Sequence, residues 1–133
     1  VRLRTRQVEG EHFTRMHGSA VLGSESAAGG KFIGSIVSTH HLVFDRVNLQ
    51  GIQSITARVA SPASGGIVQL RQGSTSGPII AEIKFRATGE WEKWIEQSAA
   101  VKDPGGVSDL YCIFLNPNGG GPFMNLDWLR FEE

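Results

Sequence analysis

The sequence predicts an all-β fold, a jelly-roll-like β-sandwich of two antiparallel sheets, and three observations carry that prediction. Apolar residues recur with a period of two in stretch after stretch, whereas the 3.6-residue period of an amphipathic helix is hard to find. Glycine is abundant, 17 of 133 residues, near double the usual ~7%. The glycines gather with serine, asparagine and proline in five turn signals, GSESAAGGK, SPASGG, QGSTSGP, KDPGG and NPNGGGP. Strands at short intervals, broken by such turns, favour a sandwich over an α/β unit.

Taken along the chain, strands are expected near residues 2–8, 32–37 and 42–49. In QSITARVA, Ile55, Ala57 and Val59 share one face while Thr56 and Arg58 share the other. A strand is expected near 67–72. In PIIAEIKFR, Ile79, Ala81, Ile83 and Phe85 point one way, and Glu82, Lys84 and Arg86 the other. Both stretches read as half-buried antiparallel strands. Another strand is placed near 93–98. LYCIFL, residues 110–115, is apolar on both faces and reads as a central strand, and a last strand covers 125–131. No linker or internal repeat divides the chain, so residues 1–133 are read as one domain.

Composition excludes several classes. Thirteen Lys and Arg balance thirteen Asp and Glu, which argues against a nucleic-acid or anionic-membrane partner. Cys112 is the only cysteine, so neither an internal disulfide nor a multi-cysteine zinc site is available. No apolar run approaches the roughly 18 residues of a membrane span, and no signal-peptide pattern is visible. The chain starts at Val1 without an initiator methionine, as expected of a piece of something longer.

Candidate chemistry is sparse. Glu9 and Glu11 are two apart and share a face on an extended strand, and Asp127 lies near the other end of the chain. If the terminal strands are neighbours, three carboxylates converge, which suits Ca²⁺ with its six to eight oxygen ligands. A solvated acidic strand edge and a catalytic acid/base pair are the other readings, and spacing does not choose among them. His40 and His41 are adjacent and face opposite sides of a strand, while His12 and His17 lack metal-ligand spacing. No GxSxG or GK[ST] motif occurs, and Cys112 inside an apolar strand packs rather than reacts. Trp91 follows a turn signal and Trp94 has the opposite strand parity, so one is expected to be exposed and the other buried. A flat, exposed indole suits the apolar face of a pyranose.

The ordered motifs resemble carbohydrate-binding module family 6. VEGEHF resembles that family's opening. FIGSIVSTHHLVFDRVNL aligns with its "vGyI…GDw" stretch, ITARVASPASGGIVQLRQGS with its "vRvAs…ggtielrldg" segment, GEWEKW with its "ggWqtW", and MNLDWLRFE with its closing "nIDwirf". The resemblance runs from about residue 6 to 132. It implies a non-catalytic, secreted glycan-binding sandwich, a monomer appended to a glycoside hydrolase or related enzyme and targeting it to a polysaccharide. It further implies a structural calcium at Glu9, Glu11 and Asp127, and a glycan cleft among the loops at one end, with Trp91 as an aromatic wall and Asn125 as a hydrogen-bonding amide. The family's second aromatic falls on Ser35, and its "GDw" turn on Thr39, His40 and His41. Ser35, His40, His41 and the loop residue Glu25 are therefore carried as further candidates for the glycan site, and Trp94 and Trp128 as mainly core. The alternatives are a protein-interaction sandwich anchored by Trp91 and Phe123, or a small glycan-active hydrolase or lyase using Glu9, Glu11 or Asp127.

Overall fold

The structure, a computed structural model, describes residues 5–10, 13–102 and 105–133, with the backbone alone for 5–9. Eleven strands are present among the described residues: β1 Thr5–Glu9, β2 Arg15–His17, β3 Ala20–Gly23, β4 Lys31–Ile36, β5 His41–Asn48, β6 Ser54–Ala60, β7 Gly66–Gln72, β8 Ile79–Phe85, β9 Ile95–Ala100, β10 Val107–Leu115 and β11 Met124–Glu132. A three-residue 3₁₀ turn lies at Ala28–Gly30. All pairings are antiparallel. One sheet runs β3-β4-β11-β6-β9, with β1 also paired to β11, and the other runs β2-β5-β10-β7-β8. The all-β sandwich expected from the alternation is therefore what the chain forms.

The two inner faces supply the core. Ile33, Ile36, Ile55, Ala57, Val59, Leu126, Leu129 and Phe131 from one sheet meet Leu42, Phe44, Val68, Leu70, Ile83, Leu110, Cys112 and Phe114 from the other. Ile55, Ala57 and Val59 are inside as their parity requires. LYCIFL is the middle of its sheet, between β5 and β7. Cys112 is fully buried, and burial pushes its thiol well above the usual range, so it is inert.

The structure departs from strict alternation at β8. Ile79 is exposed while Ile80 is buried. The pairing steps from Leu70↔Ala81 to Arg71↔Ile79, so Ile80 is the extra residue of a β-bulge and turns inward where simple parity places Ile79. β2 and β3 were not anticipated. They are short, polar or exposed edge strands, and three- or four-residue segments do not establish a period.

β11 organises the functional end. Its later half pairs with β1, Glu9 lying opposite Trp128, and its start pairs with β4, Met124 lying opposite Ile36. The terminal strands are thus neighbours, as the convergent-carboxylate reading required. Against β6 a bulge between Leu126 and Trp128 lets Asp127 interrupt the ladder, and against β4 the register shifts between Met124 and Leu126.

Candidate functional site

A half-open cleft of about 300 Å³ lies where the β3–β4 sheet edge meets the β8–β9 loop. It is lined by Leu22, Phe32, Ser35, Trp91, Glu92, Pro122 and Asn125. Three residues singled out from sequence, Trp91, Ser35 and Asn125, are brought together here. Trp91 is 44% exposed, at a turn before β9, and with Leu22 it gives the cleft its apolar surface. Asn125 is nearly buried and donates from Nδ2 to the Trp91 carbonyl at 2.6 Å, which fixes the height of the loop carrying the indole. Gly34 is closely approached by the lining side chains, so a Cβ there would push on them. A Cβ there would lie 2.5 Å from Leu22 Cδ1 and 3.1 Å from Asn125 Oδ1. Ser35 is exposed with φ +53°, the left-handed region that a non-glycine residue occupies at a cost.

The remaining sequence candidates lie elsewhere. His40 braces the β4–β5 turn. Its Nδ1 accepts from the Val37 backbone N–H at 3.2 Å and from the Ser19 hydroxyl at 2.9 Å, which makes it the unprotonated nitrogen of the ring. His41 is on the outer face of the other sheet, stacked on its cross-strand partner His17 at 5.0 Å and near Tyr111. Neither histidine is among the residues lining the cleft. Glu25 is exposed in the β3–β4 loop and does not line the cleft.

Trp94 is half-buried rather than core, because the segment before β9 is a turn and strand parity does not apply to it. Its ring meets Phe32 edge-on at 5.5 Å, Arg58 lies over it at 5.3 Å, and its N–H donates to Ser26 Oγ at 2.9 Å. Trp128 is buried, but on the outer face of its sheet, with the Arg130 guanidinium over it at 4.9 Å. Phe123 is buried against Gly66 and offers no anchor to a partner protein.

Sequence reasoning missed Leu22, Phe32, Glu92 and Pro122. The detectable signal was Glu92 itself, next to the exposed tryptophan in GEWEKW. The Ser24 hydroxyl donates to Glu92 Oε1, and the Ser26 hydroxyl donates to the same oxygen at 2.8 Å. These two bonds hold the Glu92 carboxyl below its ordinary pKa, against a small opposing effect of burial.

Of the three carboxylates expected to converge, Glu11 lies outside the described residues and Glu9 is described by its backbone alone. Asp127 is fully buried, accepts the Ala28 N–H at 2.9 and 3.1 Å, and pairs with Arg58 Nη1 at 2.5 Å. A sealed, charge-compensated carboxylate of this kind cannot serve as an acid or base on a sugar. Both Asp127 oxygens are thus taken by protein donors, and the Glu9 backbone lies in register opposite Trp128, one residue from Asp127. Gly10 packs against the same stretch, its Cβ position lying 3.3 Å from the Leu126 carbonyl oxygen and 3.5 Å from that of Asp127.

With this geometry in view, comparison with known proteins is decisive. The family model of carbohydrate binding module (family 6) matches residues 9–133. The chain belongs to that family. A family 6 module from Clostridium cellulolyticum solved in complex with xylose superposes with a TM-score of 0.89 at 27% identity, covering 96% of this chain and 97% of that one. A β-1,3-glucan-binding family 6 module from Bacillus halodurans superposes with a TM-score of 0.88 at 28% identity, covering 96% of each. Endo-1,4-beta-xylanase A of Thermoclostridium stercorarium is 27% identical over 127 residues, 95% of this chain but 23% of the xylanase. The chain thus spans about a quarter of that relative's length. Family 6 modules are non-catalytic units usually carried by glycoside hydrolases, and this chain is one of them. No described helix is long and apolar enough to cross a membrane.

Proposed function

We propose that this family 6 module binds a polysaccharide at the Trp91 cleft and so concentrates a secreted, attached glycoside hydrolase on its substrate. The observation that carries the reading is the cleft itself: an exposed indole held at fixed height by Asn125, facing Leu22 across a floor kept low by Gly34. A pyranose stacks its apolar face on Trp91, and polar groups at the rim take its hydroxyls. Relatives solved with xylose, with cellobiose and with a β-1,3-glucan specificity make xylans and β-glucans the ligands to try first. With one aromatic wall and Ser35 in place of the second, affinity is expected near millimolar, about −4 kcal/mol. Titration calorimetry with xylohexaose, cellohexaose and laminarihexaose tests this. Trp91→Ala is expected to abolish binding while leaving the fold intact. Full binding by folded Trp91→Ala protein would place the site elsewhere.

Glu9, Glu11 and Asp127 are proposed to hold one structural calcium. Bound there, beside an Asp127 whose charge Arg58 already balances, the ion would neutralise the two glutamates and tie the first strand to the last. Since it selects the folded state, calcium should raise the melting temperature in proportion to the logarithm of its excess concentration. A melting temperature unchanged by complete removal of calcium would dismiss the ion.

A further inference from the structure

Glu92 is the one charged residue among those lining the cleft, and it is held rather than free to swing. Ser24 and Ser26 both donate to Oε1, and the two hydroxyls lie 3.0 Å apart. Ser26 is in turn fixed by the Trp94 indole N–H, so the carboxylate is braced by the β3–β4 loop on one side and the sheet face on the other. Among the described residues Oε2 has no hydrogen-bond partner. One oxygen therefore orients the group, and the second remains an acceptor directly beside the Trp91 ring in sequence and in the same cleft.

We propose that Glu92 is a ligand-contacting residue: its carboxylate accepts hydroxyl hydrogen bonds from the sugar stacked on Trp91 and selects against sugar units that carry a carboxylate or sulfate. The inference rests on the cleft being the glycan site. A charged acceptor makes a stronger bond to a hydroxyl than a neutral one. A second negative charge brought to roughly 4 Å in a water-like medium is disfavoured by about five- to tenfold. The serine pair also sets the orientation in advance, so little side-chain freedom is lost on binding. Glu92 thus favours neutral chains twice over, by attraction to hydroxyls and by repulsion of acids.

The test uses matched ligands: xylohexaose against the same chain bearing one glucuronic acid, and cellohexaose against its C6-oxidised polyuronate counterpart. Wild type is expected to prefer the neutral member of each pair by about tenfold at low salt. That preference should shrink at 1 M NaCl, where screening acts over ~3 Å. Glu92→Gln keeps an acceptor for both serines and removes only the charge. It is expected to weaken neutral binding several-fold and to abolish the preference, while Glu92→Ala loses more of the neutral binding. Equal binding of neutral and acidic members by wild type, or an undiminished preference in Glu92→Gln, overturns the assignment of Glu92 and leaves the cleft in place. Unaltered binding by Trp91→Ala, or no binding to any pair, overturns the cleft reading and this inference with it.

Discussion

Trp91 and Trp94 lie three residues apart in one turn, yet they belong to regions built on opposite principles. On the outer face of the six-stranded sheet, apolar surface is covered by charge. Arg58 lies over Trp94 and Arg130 over Trp128, and the two guanidinium groups are themselves paired, with Asp127 and Glu96. At the loop end the reverse holds. Trp91 and Leu22 keep their apolar surface open, and the charged residue of the lining, Glu92, holds two serines with one of its oxygens. The contrast of two tryptophans covered by arginine with a third left bare supports the proposal of Trp91 as the ligand platform.

The covered face should be the more fragile to break. Asp127→Ala removes the acceptor of the Ala28 N–H and the carboxylate paired with the Arg58 guanidinium, 27% exposed as a side chain, which keeps only the Ser26 carbonyl at 3.1 Å. Removing one partner of a largely buried pair costs about 3 kcal/mol. Urea unfolding should show that loss in the midpoint with little change in slope, and a change under 1 kcal/mol would mean Arg58 finds another partner. Such an outcome would erase the distinction between the two regions.

The two tryptophans give the direct contrast. Trp94→Ala forfeits the edge-on contact with Phe32, the Arg58 interaction and the bond to Ser26, about 2 kcal/mol together. Full burial of Trp94 would have implied about 3–5 kcal/mol. Trp91→Ala should cost under about 0.5 kcal/mol of stability, as exposed positions do, while removing the glycan. Paired denaturation and calorimetry on the two variants check both halves. Comparable stability losses would show that Trp91 is a packing residue after all.

The same contrast separates what the sequence makes legible from what it hides. Alternation and turn chemistry are local, so Ile55–Val59 and LYCIFL declare their faces, and the bulge at Ile80 is lost because one inserted residue inverts parity. Trp91, Ser35 and Asn125 were legible through the resemblance, each standing in a motif with a place on the fold. Leu22 was not, and Glu92 only as the neighbour of Trp91 in GEWEKW, because an edge strand of four residues and a serine clasp spanning 68 residues exist only in three dimensions. His40, carried through the alignment with the family's "GDw" turn, lies where its ring bonds Ser19, outside the residues that line the cleft.

A smaller effect sharpens the open region. Ser35→Gly relieves a left-handed backbone that costs ~1–2 kcal/mol in an L-residue. It also adds ~0.5–1 kcal/mol of chain entropy lost on folding. The net expectation is a gain of about 0.5 kcal/mol with binding retained. If stability rises and affinity falls, the Ser35 hydroxyl is itself a contact, and the cleft owes more to polar groups than to its indole.

The smallest expected effect comes from the outer face of the five-stranded sheet, where aromatic rings stack without guanidinium cover. Burial holds the His41 pKa below its ordinary value, the charges of the facing His17 and of neighbouring His40 lower it further, and a hydrogen bond with the Thr39 backbone opposes them. Arg15 and Tyr111 complete the same patch. With the folded value below the unfolded one, the unfolded chain binds more protons in the interval between them. Stability therefore falls as pH drops through about 6.5 and stops falling once the folded value is passed. His41→Gln should flatten that part of the stability profile in urea titrations at pH 5 to 8. The flattening should leave glycan binding unchanged, since the histidine stack and the Trp91 cleft lie on different sheets. A profile identical to wild type would mean that protonation of His41 is accommodated by a shift of the three-residue strand β2, which has only β5 to hold it.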